Sequence, residues 1–169
     1  TDWRAGAQEW RGENSTPVSA MEFGKAAENL NGTADAVLFI RALHNLARFE
    51  GQGGFLTTAI NDAYNVLKPG GIAGVVQHHA PDSATDEWAS GSRGYLKKSF
   101  VIAQMQAAGF EFVASSDINA NSKDQPGADD VVWRLPPSLR GAKDDPELST
   151  KMLAIGESNR MTLKFRKPL

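Results

Sequence analysis

The order of elements along the chain predicts an α/β fold: a mostly parallel sheet with helices on both faces and an antiparallel hairpin at its C-terminal end. Three observations carry this. "ADAVLFI" (34–40) and "IAGVVQHH" (72–79) are nearly continuous apolar runs, as strands covered on both faces require. Between them Leu56, Ile60, Ala63, Tyr64 and Leu67 recur every three or four residues, which is the stripe of one helix face. "RMTLKFRKP" near the C-terminus instead alternates Met161, Leu163 and Phe165 with polar residues, the pattern of a half-exposed antiparallel strand.

Each element follows in turn. Residues 1–16 are polar and irregular, with Trp3 and Trp10 as their only large apolar groups. "VSAMEF", from Val18 to Phe23, predicts a short strand closed by Gly24, and "KAAENLNG" a turn or single helical turn. After the strand 34–40, "RALHNLARF" places Leu43, Leu46 and Phe49 at helical spacing. The long helix around Leu56–Leu67 meets "KPGG". Lys68 suits the negative end of the helix dipole, Pro69 cannot continue the helix, and Gly70 or Gly71 can take positive φ. A tight turn and a strand from Ile72 are expected. "DSATDEWASGSRG" reads as a polar loop. "YLKKSFVIAQMQAAGF" reads as a helix with Val101, Ile102, Met105 and Ala108 inward and Gly109 as its stop. "EFVASSDI" is a strand. Residues 119–156 read as one long loop insertion, and a loop of that length in a compact domain is commonly functional.

Composition narrows the functional classes. The 169 residues suit a single domain, with 41% apolar and 22% charged residues and a net charge of −2. Nothing in that balance favours nucleic acid or an anionic membrane as a partner. No apolar run approaches the roughly 18 residues of a membrane span. No signal peptide is recognisable in this chain, so a cytoplasmic location is expected of the chain as given, the compartment of a longer protein being open. The chain has no cysteine, which removes disulfides, thiolate chemistry and cysteine-ligated zinc.

His78 and His79 end a strand. Adjacent strand residues point to opposite faces and cannot jointly chelate one metal without a bend, so no metal site is expected. Open α/β sheets bind ligands beyond the carboxyl ends of their strands, which makes at most one of the two a cleft residue and the other a structural or loop contact. Trp133, Arg134 and the pair Pro136-Pro137 read either as a clamp over a pocket or as core packing.

Several segments together resemble class I S-adenosylmethionine-dependent methyltransferases, whose last strand is inserted antiparallel. "ADAVLFIRALHNL" is similar to the fourth strand and following turn of that family. "AYNVLKPGGIAGVVQH" is similar to its helix, Pro-Gly-Gly turn and fifth strand, and "YLKKSFVIAQMQAAGFEFV" to its next helix and sixth strand. "SDINANSKD", "VVWRLPPSL" and "GESNRMTLKF" resemble a less studied bacterial group of predicted methyltransferases. The resemblance covers about residues 17–169. The first strand and the Gly-x-Gly loop that wraps the cofactor's methionine end are not found before Val18, and neither is the acidic residue that binds the ribose. "GQGG" at 51–54 follows the fourth-strand motif and does not replace them. The chain therefore reads as a single, truncated domain, the C-terminal portion of a Rossmann-like methyltransferase sheet.

The resemblance implies roles. The turn after the fourth strand lies beside the transferred methyl, which nominates Arg41 and His44 as catalytic, His44 as a general base at neutral pH. The alternative for His44 is packing on a short helix. Glu22, Phe23 and Arg41 are expected on the cofactor side, although the family's Gly-Asp there reads Gly24-Lys25. His78, Tyr95 and Asn119 are expected on the substrate side. The expected activity is methyl transfer from S-adenosylmethionine to an unidentified nucleophile, with weak or no cofactor binding by this chain alone. The alternatives are a non-catalytic fragment with an assembly role and a nicotinamide-dependent oxidoreductase. The latter also needs a glycine fingerprint. Losing the family's first two strands uncovers an edge of "ADAVLFI", which predicts a homodimer through that edge.

Overall fold

A computed structural model describes Gly6, residues 20–25 and residues 28–169. Its four strands are β1 (Ala34–Ile40), β2 (Leu67–His78), β3 (Glu111–Ser116) and β4 (Arg160–Arg166). They form one open sheet in the order β1-β2-β4-β3. β1 and β2 are parallel, and β4 is antiparallel to both of its neighbours. Three of the four strands thus share one direction. β3 and β4 do pair antiparallel, as the sequence predicts, but β4 sits inside the sheet and β3 takes the edge.

Five α-helices, α1 (Leu43–Ala47), α2 (Glu50–Gly53), α3 (Phe55–Val66), α4 (Lys98–Ala107) and α5 (Pro146–Ile155), and two short 3-10 helices, Glu28–Leu30 and Val132–Arg134, complete the described architecture. α3 begins after Gly54, which turns the chain at φ 64°. Its first amides are capped from the preceding helix, because a Glu50 carboxylate oxygen accepts from Leu56 N at 2.6 Å. α5 corrects the expectation of an uninterrupted loop over 119–156. No residue of α5 is buried, so it has no apolar stripe for a periodicity reading to find. Its start was nonetheless written locally: Asp145 caps Leu148 N at 2.9 Å and Pro146 opens the first turn.

The strand expected over Val18–Phe23 has its first two residues outside the described set. Ala20–Phe23 form no strand, and Phe23 and Gly24 form a turn instead. The Gly24 amide donates to Asp62 on α3 at 2.6 Å. The expected N-terminal irregular segment lies outside the described residues apart from Gly6.

β2 begins at Leu67 where a start at Ile72 was expected, so "KPGG" is an irregularity inside the strand. The β1–β2 register jumps from Ala34–Leu67 to Ala36–Ile72, so Lys68–Gly71 loop out opposite Asp35. Gly70 takes the positive φ, at 78°. The loop is anchored by the C-terminal tail, with Gly70 N donating to Lys167 O and Lys167 N to Gly71 O, both at 2.9 Å.

Phe39, Ala73, Val75, Leu163 and Phe165 share one buried cluster with Leu43, Leu56, Ile60, Val101 and Met105. α1, α3 and α4 therefore pack through these residues against one face of the sheet. Alternation along β1 puts Leu38 and Ile40 on the other face, 67% and 52% exposed. No described strand pairs with the outer edge of β1. No described helix is long and apolar enough to cross a membrane.

Candidate functional site

At the carboxyl ends of β1 and β2 opens a cavity of about 350 Å³. β1 delivers the first of its residues. Arg41 N donates to Val76 O at 2.7 Å, continuing the β1–β2 ladder by one residue. Arg41 then takes φ 53°, a left-handed conformation that costs a non-glycine residue about 1 kcal/mol. That turn reverses the chain into α1, which brings His44 back over the end of β2. Backbone strain of this kind is concentrated at functional sites.

His44 is 3% exposed and held by Gln77, a fully buried amide near the end of β2. Gln77 Nε2 donates to Gly94 O at 2.9 Å, which orients its Oε1 toward His44. The His44 amide lies 3.4 Å from that oxygen and Nδ1 lies 3.3 Å from it. A carbonyl oxygen only accepts, so Nδ1 carries the proton and Nε2 is the basic nitrogen. Burial lowers the His44 pKa; the Gln77 bond opposes this and the nearby Arg48 charge reinforces it. His44 is thus neutral at physiological pH and able to take a proton.

His78 is the second ring in the cavity. Its centroid is 5.4 Å from that of His44, and its Nδ1 is 2.6 Å from Ser158 Oγ in the loop before β4. Burial, then the His44, Arg160 and Arg41 charges, push its pKa down to about 3. His79 does not line the cavity. Its Nε2 is buried, without a hydrogen-bond partner, 3.8 Å from Asp82. That separation is an ion pair only if the ring is charged, and burial holds His79 toward the neutral form. Among the described residues no group of three or more His, Asp or Glu could hold a metal ion.

The outer wall comes from the segment that precedes α5. Val132, Trp133, Leu135, Pro136 and Pro137 line the cavity, and Trp133 meets His44 edge-on at 5.9 Å. A buried polar network fixes this segment. Asp124 accepts from the Tyr95 hydroxyl at 3.0 Å, from Arg134 Nη2 at 2.8 Å and from Asn159 N at 2.9 Å. Arg134 Nη1 in turn donates to the Tyr95 oxygen at 3.0 Å. Burial and then Asp124 raise the Tyr95 pKa, so the phenol stays a donor. For Arg134, burial lowers the pKa, but the bonds to Asp124 and Tyr95 outweigh it and the net shift is upward.

The structure thus brings Arg41, His44 and His78 together on one cavity. Tyr95 stands behind His78, edge-on at 6.3 Å and fully buried, as a support. Asn119 braces β4, donating to Thr162 Oγ1 at 2.8 Å and accepting from Arg160 N at 3.0 Å. Glu22 and Phe23 do not line the cavity. Glu22 pairs with Lys25 at 2.6 Å, and the turn sits against α3 through Gly24 and Asp62. Gln77, Asp124, Glu157 and Ser158 were not singled out from the sequence. Gln77 had a signal, being the first polar residue after an apolar strand run. Ser158 stands two residues before β4, within the segment GESNRMTLKF, where nothing singled it out from its neighbours.

A methyl-donating nucleoside cofactor fits this lining in part. Ile40 and Arg41 at the end of β1 would border its reacting end, where His44 and the apolar wall are suited to an acceptor. Among the described lining residues the one carboxylate, Glu157, is paired with Arg160 at 2.6 Å.

No protein-family model matches the chain. No curated protein matches it either. Solved structures do. The crystal structure of the [4+2]-cyclase SpnF superposes with a TM-score of 0.51 at 21% identity, covering 82% of this chain and 51% of that one. A candidate methyltransferase of Bacillus halodurans C-125 gives 0.50 at 16% identity, covering 82% and 72%. A candidate sarcosine dimethylglycine methyltransferase of Galdieria sulphuraria gives 0.48 at 14%, covering 82% and 54%. The chain spans about half the length of the first of these, 51%. At the identities of the first two, the likeness establishes the fold, an open Rossmann-like α/β sheet, while the chemistry has to be argued from the site.

Proposed function

We propose that this chain supplies the acceptor side of an S-adenosylmethionine-dependent methyl-transfer site. One observation carries the reading: on a methyltransferase-type sheet, a neutral histidine with its tautomer set by Gln77 sits at the strand-end cavity beside the strained Arg41. The cofactor, when bound, supplies an electrophilic methyl group. The chain's own residues do the rest. His44 Nε2 accepts the proton of the attacking nucleophile, Trp133, Leu135 and Pro136 exclude water from one side, and the Arg41 charge disfavours a protonated acceptor. The Ser158 hydroxyl and His78 form a second hydrogen-bonding pair for the acceptor.

The test is spectral mapping on the isotopically labelled 169-residue chain with S-adenosylhomocysteine at millimolar concentration. Shifts confined to the amides of Ile40, Arg41 and His44 are expected, with weak affinity. No shifts there at saturation would overturn the reading, and low-micromolar affinity would overturn the expectation of weak binding. A second reading, a non-catalytic assembly role, is favoured by the position of Glu22 and Phe23 away from the cavity. It shares one expectation with the first: the uncovered edge and outer face of β1 pair with a second copy to form a homodimer.

A further inference from the structure

Beside the strand-end cavity, and sharing Trp133 and Ser138 with it, is a second opening of about 410 Å³. Arg48, Ser92 and Arg140 complete its lining. Both arginines are exposed. Neither has a carboxylate within ion-pair distance among the described residues, whereas neighbouring Arg134 takes both Asp124 and Asp130. Arg140 is kept by Trp133, with its guanidinium 5.7 Å from the ring centroid and its amide donating to Trp133 O at 2.8 Å. Arg48 lies 4.2 Å over Phe49, one turn of helix after His44. Gly91 lets the loop carrying Ser92 close onto α1, since a Cβ there would collide with His44 O. The two openings together present Arg41, Arg48 and Arg140 against a single carboxylate, Glu157, which Arg160 already neutralises.

From this we infer that the Arg48–Arg140 groove binds a carboxylate or phosphate group of the substrate, placing the nucleophilic end of the same molecule at His44. Guanidiniums recognise either oxyanion through paired N–H donors, and the Ser138 hydroxyl and that of Ser92, which lies 3.2 Å from Ser90 Oγ, add polar groups to the lining. Trp133, which meets His44 in a T-shaped contact and carries Arg140 over its ring, is the apolar bridge between the two ends. The inference rests on the proposed methyl-transfer reading for the nature of the reacting end. The anion site itself stands on the groove alone. Arg48 also couples the ends, because its charge helps to keep His44 unprotonated.

The whole chain is titrated calorimetrically with inorganic phosphate and, separately, with succinate, at constant ionic strength, while the Trp133 indole signal is followed by NMR. Saturable binding of at least one anion is expected, with the Trp133 indole shifting. Tighter phosphate identifies a phosphorylated substrate, tighter succinate a carboxylated one. Arg48→Gln and Arg140→Gln should each weaken binding about tenfold, the loss expected of one charge-assisted hydrogen bond. Ser138→Asp, which places a carboxylate in the groove, should abolish it. Failure of both anions to bind, or equal affinity in all three variants, overturns the inference. The S-adenosylhomocysteine shifts at Ile40 and Arg41 report separately. Anion binding without them leaves the groove standing and removes the methyl-transfer reading, and the reverse removes only the groove.

Discussion

Replacing Asp124 by alanine should be among the most damaging single changes in this chain. Its side chain is 0% exposed and satisfies three donors from three separate elements, Tyr95, Arg134 and Asn159. Without it, the Arg134 guanidinium, 11% exposed, keeps the Tyr95 oxygen at 3.0 Å and, as its one remaining carboxylate, Asp130 at 3.3 Å, which is itself 40% exposed. Removing one partner of a buried pair costs about 3–5 kcal/mol, and the residual Asp130 contact favours the lower end, about 3 kcal/mol. Asp124→Asn keeps one acceptor oxygen and should cost about 1–2 kcal/mol. Urea unfolding followed by circular dichroism and by tryptophan fluorescence measures both. Trp88, stacked on Tyr95 at 5.4 Å, and Trp133, on the cavity wall, make the second probe local to the network. The double variant Asp124→Ala, Arg134→Met should be more stable than Asp124→Ala alone, because no unpaired charge then remains buried. The reasoning fails if Asp124→Ala costs less than about 0.5 kcal/mol, the range of an ordinary surface change, or if the two substitutions simply add.

Acid should destabilise the fold earlier than carboxylate protonation would. His78 has a folded pKa of about 3 against 6.5 unfolded, so between those values the unfolded chain binds a proton that the folded chain refuses. Stability therefore falls as pH drops below 6.5, by about 1.4 kcal/mol per pH unit for His78 and further for His44 and His79, whose pKa values are also lowered. A flat urea midpoint between pH 7 and pH 5 would contradict this. Gly70→Val should cost about 1 kcal/mol or more through its φ of 78°. Gly71→Val should cost at least as much for a different reason, since a Cβ there would stand 2.9 Å from Lys68 O. Parent-like melting of both variants would refute the turn geometry. Gln77→Leu should leave His44 in place but release its tautomer, visible as a changed imidazole nitrogen spectrum. An unchanged spectrum would remove Gln77 as the orienting group. Leu38→Lys should shift a dimer to monomer in light scattering, and a parent that is monomeric at high micromolar concentration rules the dimer out.

Much of the sheet was legible because each parallel strand is an apolar run bounded by glycine, proline or a polar end. "ADAVLFI" and β2 announce themselves in that way, and α3 does so through its stripe. α5 was not legible by periodicity because it buries nothing, although Asp145-Pro146-Glu147 was a start signal that needed no stripe. The exposure of one side of β1 among the described residues was not legible either. The apolar residues of β1 read as buried on both faces, but Leu38 and Ile40 stand exposed in the described structure. An apolar run records what a strand can be packed against, and the packing itself is supplied by other segments or other chains.

The candidate site divides along the same line. Arg41, His44 and His78 could be named because strand ends are local features and the strands were readable. Their partners could not be named in the same way, since Gln77 meets His44 across 33 residues of chain and Ser158 meets His78 across 80. Asp124 is the clearest case. In sequence it is one aspartate in a polar loop, with nothing to separate it from Asp129 or Asp130. What distinguishes it is that Tyr95, Arg134 and the amide of Asn159 converge on the one place where its carboxylate is out of water. A buried charge acquires its role from donors that the chain brings together only on folding. The reacting residues of such a site are therefore more readable than the groups that hold them, and substitutions at Gln77, Asp124 and Ser158 test the fold's contribution to the chemistry more sharply than substitutions at His44 itself.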